Sequence, residues 1–196
     1  MEKIILASSS PRRRDLLQKY NLNVEIIESH IEERYHSRDF PECAAMSLAF
    51  EKAMDVSNRL DSNEVVIAAD TIVYKNKILG KPKDEKEALE TLIYLNGDEH
   101  YVITGVAIVK ANSNLKIIDY EKTSVKFRKL DRDKIYSYIK TNEYKDKAGS
   151  YGIQGLGELL VERIEGSYSN VVGLPIGKLD FLLSKYFGIS LLQNIV

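Results

Sequence analysis

Ten residues, VVIAADTIVY from Val65 to Tyr74, constrain the fold of this chain more than any other stretch. Valine, isoleucine and tyrosine fit a pleated ribbon, and a run that is apolar on both alternating faces has to be covered on both. A sheet with helices packed against it meets that demand, and the rest of the sequence supplies the parts. One residue in the run, Asp70, does not belong in such an environment without a reason.

Around this strand the sequence predicts an alternation of elements. Lys3 to Ser8 is a short buried strand, and Ser10 followed by Pro11 reads as an N-cap with proline at the first helical position, opening a helix to Tyr20. Asn23 to Ser29 forms a second strand, and Pro41 to about Leu60 a long helix. After a turn at Lys75 to Lys77, ILGKP is a short extended piece, and Asp84 with Glu87 is a capping-box pattern that opens another helix. Tyr101 to Lys110 and Lys116 to Lys129 are strands, and Asp131 caps a helix through Ile139. Glu158 to Ile164 is a strand, and Pro175 begins a last helix that Gly188 ends. Strands interleaved with helices predict an α/β or mixed α+β sheet with flanking helices. At 196 residues, without repeats or a long linker, one domain over residues 1–196 is expected.

Composition limits the function classes. Lys and Arg number 28 against 29 acidic residues, so no global field draws the chain to nucleic acid or to an anionic membrane, and any anion site is local. Cys43 is the single cysteine, which excludes an internal disulfide and argues against a cysteine-based zinc site. The N-terminal apolar run is too short for a signal peptide, and no window approaches a membrane span, so a cytoplasmic protein is expected.

Several charged residues interrupt the pattern. In LASSSPRRRDLL three arginines follow the predicted helix start, where unpaired N–H groups and the positive dipole end also gather. Two readings stand: a phosphate cradle involving Arg12 and Arg13, or a cationic solvated face. Three successive positions cannot share one helix face, so at least one arginine points elsewhere. Lys52 projects between Leu48 and Val56 on the apolar stripe of its helix. Snorkelling of its ammonium to the rim is the common outcome for a lone lysine. Asp70 ends an apolar run at the kind of sheet edge where α/β proteins place ligands, and a buried carboxylate there needs a partner. Glu33 in IEER and Lys81 in LGKP are, on composition alone, ordinary solvated residues. The glycines of GSYGIQGLG permit either a bulged hairpin or a base-recognition loop in which Gln154 offers a donor and an acceptor. No Walker or dinucleotide fingerprint is present, and His30, His36 and His100 have no metal-ligand spacing, so carboxylate ligation would imply Mg²⁺ or Mn²⁺.

Taken together, SSSPRR, IEE, AFEKA, AADTIV, LGKP, KAGSYGIQG and NVVGLP follow one another in the order and spacing of the Maf family of nucleoside triphosphate pyrophosphatases, which the chain resembles over nearly its whole length. The departures are slight: IEER replaces a more usual Asp-Glu pair, and Ser150 stands where alanine is frequent. The resemblance implies a fold like that of the inosine triphosphate pyrophosphatases, with a twisted mixed sheet, a cleft between two lobes, and frequently a dimer. It implies Asp70 as catalytic acid/base and metal ligand, with Glu33 as its partner in holding a divalent cation, Mg²⁺, Mn²⁺ or Co²⁺. Ser8, Arg13, Lys52 and Lys81 would hold the phosphates. Arg12, Thr71 and Gln154 match the branch acting on dTTP and UTP, with CTP and modified pyrimidine nucleotides as further candidates and a house-cleaning role. Water would attack the α-phosphorus, giving monophosphate and pyrophosphate. The rival readings are a non-catalytic nucleotide sensor in septum formation and a phosphatase that removes the γ-phosphate.

Overall fold

The computed structural model describes residues 3–34 and 40–193. Its centre is a seven-stranded mixed sheet in the order β2-β1-β3-β5-β6-β7, with β4 paired to β3 off this path. The strands are β1 (Ile4–Leu6), β2 (Val24–Ile26), β3 (Val65–Lys75), β4 (Lys77–Leu79), β5 (Glu99–Lys110), β6 (Lys116–Phe127) and β7 (Val161–Glu165). Strand β1 runs parallel to β2 and β3, whereas β5, β6 and β7 continue the sheet antiparallel. The helices are α1 (Pro11–Gln18), α2 (Pro41–Ser57), α3 (Glu85–Leu95), α4 (Arg132–Lys140), α5 (Tyr168–Val172) and α6 (Ile176–Phe187).

The doubly apolar run does what its composition demands. Val66 and Ala68 of β3 pack with Ile5, Ala107 and Val109 against Ala49, Ala53 and Val56 of α2. Val65, Ile67 and Ala69, one residue out of phase, join Leu92 of α3, Ile139 of α4 and Leu179 and Leu183 of α6 on the opposite face. The alternation continues through the polar pair that follows, so Asp70 faces α2 and Thr71 faces the other side. Helix α2 lies close to the sheet because both surfaces are small. A Cβ at Gly105, which pairs with Asp70 across β3 and β5, would stand 2.2 Å from the Ala45 carbonyl oxygen.

Boundaries differ from the sequence reading where long-range contacts decide them. Strand β2 has three residues rather than the seven from Asn23 to Ser29, since only Val24 to Ile26 find partners on β1. Helix α2 ends at Ser57, with Asn58 as its C-cap. The glycine-rich segment is not a bulged hairpin: 3₁₀ turns at Ala148–Ser150 and Leu156–Leu160 bracket it, so β7 begins at Val161 instead of Glu158. Pro175 is the N-cap of α6, not its first residue, and the five-residue α5 before it is too short to show a helical period. Ser10 occupies the N-cap position of α1, but its side chain makes no capping bond, and its N–H donates to Ser8 Oγ at 3.2 Å. Among the described residues no helix is long and apolar enough to cross a membrane.

Candidate active site

A cavity of about 970 Å³ opens where the β1–α1 turn, the middle of β3, the β4 segment and the glycine-rich loop come together. Ser8, Arg12, Arg13, Glu33, Lys52, Asp70, Thr71, Lys81 and Gln154 all line it. These are every site residue singled out in the sequence, drawn from positions 8 to 154.

Lys52 sits at the centre of the charged wall. Its Nζ donates to Asp70 Oδ1 and to Glu33 Oε1, each at 2.6 Å. The side chains of Lys52 and Asp70 are only 9% and 10% exposed. Snorkelling is therefore the wrong description: the stem does not carry the ammonium out to the rim, because two carboxylates hold it inside. Glu33 is also more than a solvated loop acid. Its second oxygen accepts from Lys81 Nζ at 2.7 Å, so one carboxylate spans two ammonium groups. Burial pushes the Glu33 carboxyl up, but the hydrogen bonds from Lys52 and Lys81 outweigh it and hold its pKa at about 2. Lys81 is exposed, as a turn lysine should be, yet this pair directs it toward the cavity.

Arg13, also in the lining, is fixed from three sides. Nε donates to the Gly173 carbonyl at 2.7 Å, Nη2 to Thr71 Oγ1 at 3.0 Å and Nη1 to Ser8 Oγ at 3.4 Å. Burial lowers its pKa, while Asp70 acts in the other direction. Arg14 pairs with Asp15 on the surface at 3.7 Å, so the three arginines do divide between cavity and solvent. Ser10 makes no side-chain cap, so its hydroxyl does not occupy the N–H groups at the start of α1 beside Arg13, where a helix end favours negative charge.

Thr71 does not present its hydroxyl as a free substrate contact, because that group is already engaged with Arg13 and with Thr104 Oγ1 at 3.0 Å. Gln154 is exposed on the glycine-rich loop and lines the cavity. Sequence reasoning missed Gly173, Thr104 and Lys147. Gly173 lies inside the NVVGLP motif, where no charge drew attention to it; its carbonyl matters, not its side chain. Lys147 lines the cavity and donates to the Glu143 carbonyl. Burial and then the charge of Arg12 lower its pKa.

Among the described residues no cluster of three or more His, Cys, Asp and Glu side chains could hold a metal ion. His100 is buried with Nε2 on the Tyr151 hydroxyl at 2.8 Å, His30 is exposed, and His36 lies outside the described residues. Asp70 and Glu33 both meet Lys52 Nζ, and two carboxylates would fit a hard divalent ion that completes its shell with water and phosphate oxygens, while being too few for a closed all-protein cage.

A model of the Maf-like protein family matches residues 3–186. A dTTP/UTP pyrophosphatase of Alkaliphilus oremlandii is 50% identical over 192 residues, covering 98% of this chain and 100% of that protein. The protein of the same name from Clostridioides difficile is 49% identical over 193 residues, covering 98% and 99%. Among solved structures, a HAM1 protein from Coxiella burnetii covers 65% of this chain and 73% of its own with a TM-score of 0.48 and 16% identity, too loose a likeness to carry chemistry. By the family match and by these relatives, the chain belongs to the Maf-like protein family.

Proposed function

We propose that this chain hydrolyses pyrimidine nucleoside triphosphates, dTTP and UTP first, to the monophosphate and pyrophosphate. The observation that carries the reading is the Lys52 ammonium held at 2.6 Å from both Asp70 and Glu33 on the wall of a nucleotide-sized cavity. A protein that only sensed a nucleotide would need Arg13, Lys52 and Lys81 but not two acids converging beside them. The relatives named dTTP/UTP pyrophosphatase, together with Arg12, Thr71 and Gln154, support the choice of base.

In this reading the triphosphate lies along Arg13, the start of α1, Lys52 and Lys81, with the base toward Gln154. The guanidinium and the two ammonium groups neutralise the pyrophosphate as it leaves. Asp70 orients the attacking water and accepts its proton. Glu33, kept ionised by Lys52 and Lys81, would join Asp70 in holding a divalent cation. Such a cation, when bound, supplies charge neutralisation and a more acidic bound water.

The test is product analysis across dTTP, UTP, CTP and modified pyrimidine triphosphates with Mg²⁺ or Mn²⁺ in ¹⁸O-water. Pyrophosphate plus a monophosphate carrying the label is the expected result. Orthophosphate and a nucleoside diphosphate would move the attack to the γ-phosphorus, and tight binding without turnover would favour the sensor.

A further inference from the structure

Thr104 on β5 is fully buried, and its hydroxyl is one link in a chain of hydrogen bonds that ends at Arg13. Arg13 Nη2 is 3.0 Å from Thr71 Oγ1, Thr71 Oγ1 is 3.0 Å from Thr104 Oγ1, and Thr104 Oγ1 is 3.1 Å from the Asn170 carbonyl oxygen. The ends of this chain fix its sense. A guanidinium only donates and a carbonyl only accepts. Each hydroxyl has one proton, so Thr104 gives its proton to Asn170, Thr71 gives its proton to Thr104, and Thr71 accepts from Arg13. All links point the same way, away from the guanidinium, an arrangement in which each bond polarises the next.

The far end of the chain is rigid. Asn170 is fully buried on α5, and its amide donates to the Val102 carbonyl of β5 at 3.0 Å and to Thr123 Oγ1 of β6 at 2.9 Å. Its carbonyl also accepts from the Gly173 N–H at 3.0 Å, while the Gly173 carbonyl accepts from Arg13 Nε. Gly173 sits at φ +121°, and a Cβ there would lie 3.3 Å from Thr71 Oγ1 and 3.5 Å from Arg13 Nε. One short segment thus receives the guanidinium twice, directly at Gly173 and through two threonines at Asn170. Of the five N–H donors of Arg13, three are committed among the described residues, one each to Gly173, Thr71 and Ser8, which leaves two to meet an anion.

We infer that Thr104 is a positioning residue: through Thr71 it holds Arg13 with its remaining donors turned to the triphosphate. Thr71 then influences the reaction by orienting Arg13, since its only proton is spent on Thr104. The inference rests on the pyrophosphatase reading for its kinetic consequence, but the geometry of the relay stands apart from it.

The experiment compares Thr104→Val, which removes the hydroxyl at nearly constant shape, with Thr104→Ser, which keeps it, each alone and combined with Arg13→Ala. Thr104→Val is expected to lower kcat/KM for dTTP by about 10–100-fold, Thr104→Ser to restore it within about threefold, and Thr104→Val to add less than about threefold once Arg13 is gone. A second measurement needs no turnover: the exchange rate of the Arg13 Nε–H with water, followed by NMR and identified by its loss in Arg13→Lys. Faster exchange in Thr104→Val with wild-type exchange in Thr104→Ser supports the relay even if no nucleotide is hydrolysed, in which case the functional reading alone fails. Unchanged exchange in Thr104→Val, or an equal kinetic loss with and without Arg13, overturns the inference. Should Thr104→Val not fold, Thr71→Val cuts the relay one link nearer the cavity and is read by the same two measurements.

Discussion

Lys52 occupies a position that costs free energy to create and more to disturb. Removing the partner of a lone buried ion pair strands the other charge, at a typical cost of ~3–5 kcal/mol, but Lys52 has two acids, so loss of Asp70 still leaves it Glu33. Asp70→Asn keeps size and shape and retains an oxygen for the lysine. It should reduce turnover by roughly 10²–10⁴ while the far-ultraviolet circular dichroism stays that of the wild type. A variant that hydrolyses dTTP at the wild-type rate would take Asp70 out of the chemistry. The anomalies of Lys52 and Asp70 were legible in the sequence, since each broke a periodic apolar pattern in a way that asks for a partner. Their pairing was not, because two residues eighteen positions apart, one on a helix and one on a strand, carry no local record of which faces of those elements meet. Glu33 shows the converse. Its segment has no period to break, so composition placed it in solvent, and only the family resemblance pointed to the acid that bridges two lysines.

At the scale of elements, the distance between α2 and the sheet governs whether Lys52 can reach Asp70. The alanines of α2 and the bare Cα of Gly105 set that distance, with the Ala45 carbonyl oxygen, its carbon and the Met46 nitrogen all within 2.6 Å of where a Cβ would stand. These are backbone atoms, so no rotamer change relieves the clash. Gly105→Ala is expected to destabilise the fold by about 3 kcal/mol or more, lowering Tm by about 6–12 °C, and to reduce kcat/KM as the helix is pushed outward. Thermal melting beside steady-state kinetics tests both, and a fully active variant with unchanged Tm would mean that α2 is not held this closely. Long elements such as β3, β5, α2 and α3 were readable because each spans several turns or alternations of its pattern. Strand β2, the five-residue α5 and the two 3₁₀ turns were not, since their limits depend on partners distant in the chain. The order of the strands likewise comes from which hydrophobic faces pair, a property of the assembled sheet and not of any window of sequence.

The molecule as a whole carries an acid-sensitive element beyond its carboxylates. His100 is 1% exposed, and its ring meets Phe127 and Tyr151 edge-on, with centroids 4.8 and 5.5 Å away. Burial, with a smaller contribution from Lys75, lowers its pKa to about 3. The folded protein therefore keeps His100 neutral while the unfolded chain takes up a proton near its ordinary value of about 6.5. Stability from this group is complete above that pH and drains as the pH falls toward 3, at about 1.4 kcal/mol per pH unit. Urea titrations between pH 6.5 and 5 should give this slope for the wild type and a flatter one for His100→Phe; equal slopes would place the proton uptake elsewhere.

The hydrogen bond from Arg13 to the Gly173 carbonyl joins residues 160 positions apart. During synthesis, Ser8, Glu33, Lys52, Asp70 and Lys81 are all added to the chain before Gly173 is. The carbonyl that docks the arginine follows every one of them in the chain. A nascent chain thus carries its acids and lysines before Arg13 has the carbonyl that fixes its guanidinium.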